Sequence, residues 1–479
     1  MTVVTGETLI ALLPELVAAG FLILTLLVGV FRERNVGLVT GIAAIGSLAV
    51  FGSAAGLMVA GFSGSFFGGG FVVDDFALYF KLIVAASAFF AVLAAARWSG
   101  YTGDAPEYLT LILSVLFGSI LLVSMRDLFG IFLAIELATI PSYAMVAFDR
   151  SRRESAEGGI KYLIQGVIAS SVLLYGIVLI YGVSGSAALA DVAEALSGGL
   201  SPVALLGLVL LICGFAFKVS AAPFHFWTPD AYQGAPTSAA AFLSVAPKAA
   251  FFAILLRILL EGMPEAAPIW TSLMAVLAII TMFVGNLLAL RQRNVRRMLA
   301  YSSVAHSGYI LAAFAALQGD AVPTAIEAVL IYAAAYALMN MGAFLTIDLV
   351  GEDTKSFNGL FRTRPALALA MGVFMAALVG IPPFSGFFGK AWVILAGVQS
   401  GSVLVYIVVG ALVINTALSV PYYFGIIRNM FLEEPAAEAR GPKGAGAVRF
   451  SVYALAVATT LFFFFVGPLS ALARASGLL

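Results

Sequence analysis

Five lysines occupy positions where so apolar a chain has least use for them. Of 479 residues, 62% are hydrophobic and 10% charged, yet Lys81, Lys161, Lys218, Lys248 and Lys390 all fall within long runs of Ala, Leu, Val and Phe. The chain has seven lysines, and its polar connections use mostly arginine. Burial readily discharges lysine, whereas arginine keeps its charge. A lysine in apolar surroundings can therefore take up and release a proton. A charge at the centre of a bilayer costs roughly 2.5–3.5 kcal/mol on insertion scales, so repeated use implies a purpose. Glu136, in "LFGIFLAIELATIPSYAMVAF", is as deep in its run as Lys248 is after Pro247. For both, proton relay is the favoured reading and a static ion pair the rival.

The remaining candidates divide by depth. Lys161 lies in the first turn of its segment, open between a relay role and a side chain that snorkels to the surface. Lys81, two turns in, could also snorkel and is the weaker relay candidate. Arg257 lies within two turns of an end and is expected to snorkel. His306, in "MLAYSSVAHSGYILAAF", is about three turns deep, and a histidine titrating near 6.5 suits proton transfer. His225 stays open between relay and packing. Two histidines without Cys or Asp at ligand spacing make a poor metal site.

These residues need a scaffold that spans a bilayer. A soluble protein carries about 25% charged residues, far more than this chain. Spanning helices need about 20 mostly apolar residues each. Fourteen segments qualify: 9–31, 36–61, 74–97, 107–125, 127–148, 158–183, 202–222, 239–262, 268–290, 297–317, 322–350, 365–399, 401–427 and 450–473. No ten-residue alternating segments of a membrane barrel occur. The expected fold is all-α and polytopic, one membrane domain over 1–479. The first segment lacks a basic lead and carries Glu7 and Glu15, so it does not read as a cleaved signal. Connections after odd-numbered segments hold seventeen basic residues, whereas those after even-numbered ones, with the C-terminus, hold Arg126 and Arg474. Basic connections stay cytoplasmic, so both termini are expected outside. The other polar stretches are outer loops at 62–73 and 184–201 and a cytoplasmic linker at 432–447.

Prolines interrupt two segments: the seventh at Pro223 in "FKVSAAPFHFW", and the twelfth at Pro382 and Pro383 in "LVGIPPFSGFFGKAW". Five helices apart, the two run in opposite directions, the pattern of inverted repeats with an ion path near the midplane. Lys218 precedes the first break and Lys390 follows the second. No phosphate-binding loop, dinucleotide fingerprint, HExxH or CxxCH is present. Cys213, the single cysteine, reads as helix packing. Energy for ion movement must then come from a partner or a gradient.

"KVSAAPFHFWTPDAYQGAPTSAAAFLSVAPKAA", "RNVRRMLAYSSVAHSGYI" and "GIPPFSGFFGKAW" resemble the antiporter-like membrane subunits of respiratory complex I, most closely the subunit N branch. The resemblance covers nearly the whole chain. It implies a proton-translocating module of a NADH-quinone oxidoreductase in a bacterial inner membrane, with inverted repeats near 107–262 and 268–427 and flanking helices at 9–97 and 450–473. Glu136, Lys218, Lys248 and Lys390 match the family's key positions, and Lys161 and His306 its central polar axis. Partners would be the other membrane subunits, with no nucleic acid. NADH, FMN, iron–sulfur clusters and quinone would be used elsewhere in the complex, and this chain would hold no cofactor or metal. Rival readings are a subunit of a cation/proton antiporter, of a ferredoxin-linked or hydrogenase-type relative, or a scaffold for neighbouring pumps.

Overall fold

A computed structural model describes residues 6–31, 35–102, 104–435 and 445–474. The basic residues expected at 32, 34, 440 and 443 lie outside them. Apolar sequence without water leaves the backbone only itself to bond to, and helices result. The chain runs through α1 (Gly6–Ala11), α2 (Leu13–Phe31), α3 (Val36–Val59), α4 (Asp75–Thr102), α5 (Ala105–Leu122), α6 (Leu128–Val146) and α7 (Arg153–Ser184). Next come α8 (Leu189–Leu196), α9 (Pro202–Lys218), α10 (Trp227–Gly234), α11 (Thr237–Leu243), α12 (Ala246–Arg257), α13 (Ala267–Ala289) and α14 (Val295–Ala315). It finishes with α15 (Val322–Val350), α16 (Leu360–Thr363), α17 (Pro365–Val379), α18 (Ser385–Gln399), α19 (Val403–Leu432), α20 (Gly446–Leu461) and α21 (Val466–Arg474). One small antiparallel hairpin, β1 (Gly64–Phe66) with β2 (Phe71–Val73), stands in the Gly-rich loop before α4.

Among the described residues, eleven helical segments are long and apolar enough to cross a membrane, each matching one of the fourteen expected. The other three depart for visible reasons. The segments 202–222 and 365–399 are interrupted, leaving α9 and α17 as short apolar helices. The third, α14, is the polar helix, carrying Arg296, Arg297, Ser302, Ser303, His306 and Ser307.

Both expected breaks are present. Residues 219–226 separate α9 from α10, and 380–384 separate α17 from α18. Each contains a cis X–Pro bond, at Ala222–Pro223 and Pro382–Pro383. Ser220 in the first break has φ +61°, a conformation that strains a residue with a Cβ. A third break corrects the expectation of two. The segment 239–262 divides at Ser244–Val245 into α11 and α12, and ends in a π turn at Ile258–Gly262. Pro247 at the start of α12 has no N–H to continue the helix behind it. Asn340 on α15 fills the gap by donating to Ser244 Oγ at 2.7 Å.

The best-shielded elements lie centrally. Every residue from Thr237 to Leu259 is buried, as is most of 325–349, while α2, α7, α19 and α20 keep large exposed apolar faces.

Candidate functional site

Each of three buried lysines stands beside one of the three breaks. Lys218 is the last residue of α9, Lys248 the third of α12, and Lys390 the sixth of α18. All three are buried, with 3%, 3% and 5% of their surface exposed. Their partners are mostly neutral oxygens. Lys218 Nζ donates to Ser170 Oγ of α7 at 3.0 Å, and Ser170 Oγ donates to Glu136 Oε1 at 2.6 Å. The direct Lys218–Glu136 separation is 3.5 Å, so the serine hydroxyl mediates the pair. Glu136 keeps 22% of its side chain exposed, on the outer face of α6.

Lys248 Nζ meets Ser303 Oγ at 2.6 Å and Ser307 Oγ at 3.3 Å, both on α14. Lys390 Nζ donates to Val379 O at 2.7 Å and Leu378 O at 3.3 Å, carbonyls that the end of α17 cannot use internally. Gly380 at φ +94° turns the chain there, and a Cβ on it would press on the Lys390 stem. The Lys390 ammonium also lies 4.7 Å from the Tyr309 ring centroid, a cation–π arrangement.

His306 is one turn from Ser303 and Tyr309, so α14 carries the contacts of both lysines and the histidine. Its Nδ1 is 2.8 Å from the Tyr332 hydroxyl of α15, and its Nε2 is 3.2 Å from that of Tyr423 of α19. Tyr423 also bonds Ser302. Tyr309, Tyr332 and Tyr336 surround the imidazole ring. Beside Lys218, Trp227 lies 5.4 Å from Phe217 and 5.9 Å from Tyr232 between ring centroids. His225 sits buried in the first break, its Nδ1 without a side-chain hydrogen bond, its ring beside Phe226 and 6.5 Å from Tyr301.

Lys161 behaves differently. Its side chain is 41% exposed and binds Asp230 Oδ2 at 2.7 Å and Glu157 at 2.6 Å. Asp230, in α10 after the first break, also takes Arg297 of α14 at 2.5 Å. Partial burial works to raise the Asp230 carboxyl, but hydrogen bonds from Lys161 and Arg297 outweigh it and hold the group below the usual carboxylate range. Lys161 thus ties α7 to α10 rather than simply reaching for water.

The expected snorkelling of Arg257 is overturned, and the snorkelling open to Lys81 is not adopted. Lys81 is fully buried and pairs with Glu15 of α2 at 2.6 Å. Arg257 is also fully buried, clamped by Asp74 at 2.8 Å and Glu261 at 2.7 Å, with Arg126 on the far side of Glu261 at 2.8 Å. Helix packing walls both side chains off before their stems could reach a surface. Sequence reasoning missed Glu15 and Asp74 as partners because they are distant in the chain, and it passed over Glu261, which follows Arg257 by one helical turn. It also missed the mediating hydroxyls: Ser303 and Ser307, flanking His306 at one-turn spacing, were the available signal.

Interrupted helices within a polytopic bundle are the pattern of transporter-type membrane proteins. Residues 125–418 match the family described as NADH:quinone oxidoreductase/Mrp antiporter, TM. The NADH-quinone oxidoreductase subunit N of Rubrobacter xylanophilus is 75% identical over 479 residues, covering 99% of this chain and 100% of that one. Respiratory complex I from Thermus thermophilus with bound aureothin contains a chain that superposes with TM-score 0.81 at 31% identity, over 97% of this chain and 100% of that one. The Mrp complex from Dietzia sp. gives TM-score 0.86 over 98% of this chain and 97% of that one; at 22% identity this shows the shared fold alone. The chain belongs to the antiporter-like membrane subunits of NADH-quinone oxidoreductase, in the subunit N branch.

Proposed function

We propose that the chain carries protons across a bacterial inner membrane, from cytoplasm to outside, as one membrane subunit of a NADH-quinone oxidoreductase. Protons pass along Glu136, Lys218, Lys248, His306 and Lys390, and the halves near 107–262 and 268–427 form two inverted repeats around that line. NADH, FMN, iron–sulfur clusters and quinone belong to partner subunits, whose electron transfer drives this one. Neighbouring antiporter-like subunits and the lipid bilayer are its surroundings, and both termini face outward.

The observation that carries this reading is the bonding of the three lysines. A permanently charged lysine in an apolar core needs a close carboxylate. Lys248 and Lys390 instead rest on hydroxyls and carbonyls, and Lys218 reaches Glu136 chiefly through Ser170. Such oxygens accept a hydrogen bond from either ammonium or neutral amine, so each site tolerates both states, as a relay requires. At Lys390 the broken helix supplies the free carbonyls, and each break leaves local room for reorganisation.

The test is proton pumping per electron in inverted membrane vesicles containing the assembled complex. Lys218→Ala and Lys248→Ala are expected to lower that ratio while the variants still assemble. A pure scaffold would keep the wild-type ratio in both.

A further inference from the structure

The relay needs a route from the end bearing Arg150, Arg152 and Arg153 to Lys218, and the packing of α6 against α7 offers one. On α6, Glu136, Thr139 and Tyr143 recur at helical spacing and share a face, with Ser142 beside it. On α7, Tyr162, Gly166 and Ser170 recur every four residues. The two stripes meet. Ser142 Oγ lies 3.1 Å from the Tyr162 hydroxyl and 2.6 Å from Thr139 O. Tyr162 is next in sequence to Lys161, whose ammonium is partly exposed. The Tyr143 ring packs edge-on against Tyr162 at 4.6 Å.

Tyr143 itself is 6% exposed, and its hydroxyl has no hydrogen-bond partner among the described residues. A buried hydroxyl without a partner is costly and calls for an explanation. Thr139 and Ser170 lie near enough to bond it after a small turn, and Glu136 is within electrostatic reach. Room for it exists only because residue 166 is glycine: a Cβ there would overlap the Tyr143 hydroxyl.

We propose that the Tyr143 hydroxyl, seated over Gly166, is the turning link that passes protons from the Ser142–Tyr162 side to the Ser170–Glu136–Lys218 cluster. The inference rests on the relay reading above. As the hydroxyl turns toward Ser170 it gives its proton to Ser170 Oγ, which passes its own to Glu136; Tyr143 then takes a proton from Ser142 Oγ, which is resupplied from the Tyr162 hydroxyl. Tyr143 ends neutral, and one proton has moved inward. An unpartnered hydroxyl suits this because neither orientation is held by a fixed bond.

Pumping per electron in vesicles of the whole complex tests it, with Lys218→Ala as the reference. Tyr143→Phe keeps the ring against Tyr162 and removes only the hydroxyl; the expected ratio falls to the Lys218→Ala level with NADH-driven quinone reduction retained. Gly166→Ala, which displaces the hydroxyl, is expected to match it, and the double variant to be no worse than either single change. If Tyr143→Phe does not assemble, Ser142→Ala carries the same expectation. Wild-type pumping in assembled Tyr143→Phe, or in Ser142→Ala where that variant fails, overturns the link while a Lys218→Ala loss leaves the relay reading standing. Wild-type pumping in Lys218→Ala as well overturns both.

Discussion

Two groups of buried cations lie in the same apolar bundle and are treated in opposite ways. At the flank, Lys81 and Arg257 each have carboxylates within 2.8 Å, so charge is closed locally by Glu15, Asp74 and Glu261. Along the axis, Lys248 and Lys390 have only neutral oxygens of the described residues within hydrogen-bond range, and Lys218 holds its glutamate at 3.5 Å. Lys81 sits within an uninterrupted α4, whereas Arg257 closes α12 where a π turn begins. A balanced charge is hard to change and serves as a fastener. An unbalanced lysine next to free backbone carbonyls can change its charge without stranding a counterion. Under the proposed relay, depth alone does not separate fastening cations from proton-carrying ones; what touches the nitrogen does.

The sharpest break of that comparison is at Lys390. Lys390→Ala removes the exchangeable proton, and Lys390→Arg installs a charge that cannot be released. Both variants are expected to assemble and to lose much of their pumping per electron. A membrane potential does about 2.3 kcal/mol of work per charge per 100 mV, so a site that cannot change charge cannot couple to it. An assembled variant of either kind that pumps like wild type would put Lys390 with the fasteners.

A smaller effect is expected where one axis lysine has a glutamate. Glu136→Gln and Lys218→Ala should each reduce pumping, and the double variant should lose less than the two single losses combined, because Ser170 binds both into one network. Strict additivity in that cycle would separate Glu136 from Lys218.

The contrast between the groups was only half legible in the sequence. Lys218 and Lys390 were readable because proline marks a break wherever it falls, and each lysine stands near one. The third break was hidden: Pro247 was noted, but Ser244 and Val245 look like ordinary helix residues until Asn340 bonds across from α15. Arg257 was misread because distance from a helix end measures snorkelling only for a helix that faces lipid, and α12 is buried all round. Lys81 failed likewise, since Glu15 lies 66 positions earlier in the chain. Side-chain partners across helices follow from packing, which a single sequence does not display. The polar spacing on α14 was visible but was read for His306 alone.

At the flank the expected readout is stability rather than transport. Lys81→Met leaves Glu15 buried without its partner, a change that typically costs about 3–5 kcal/mol. The combined Lys81→Met/Glu15→Leu removes both charges and is expected to recover most of that loss. Thermal unfolding of the solubilised complex measures both, and pumping per electron in assembled material should match wild type. A Lys81→Met complex of normal stability but lowered pumping would move Lys81 into the axis.

The smallest effect belongs to Asp230, where balanced charges meet solvent. Its side chain is 24% exposed and its partner Lys161 41%, so screening limits the pair to at most about 1 kcal/mol. The folded carboxyl lies below its ordinary value of about 3.9, because Lys161 and Arg297 favour the anion despite partial burial. A depressed carboxylate stabilises the fold above its unfolded pKa, and that contribution disappears as pH falls through the folded value. Asp230→Asn is therefore expected to lower the melting temperature slightly, by the same amount from pH 8 down to about pH 4, with the gap closing only below that. A gap that closes between pH 8 and pH 6 would show that some other group governs this corner, and Asp230 would no longer be the fastener between α7 and α14.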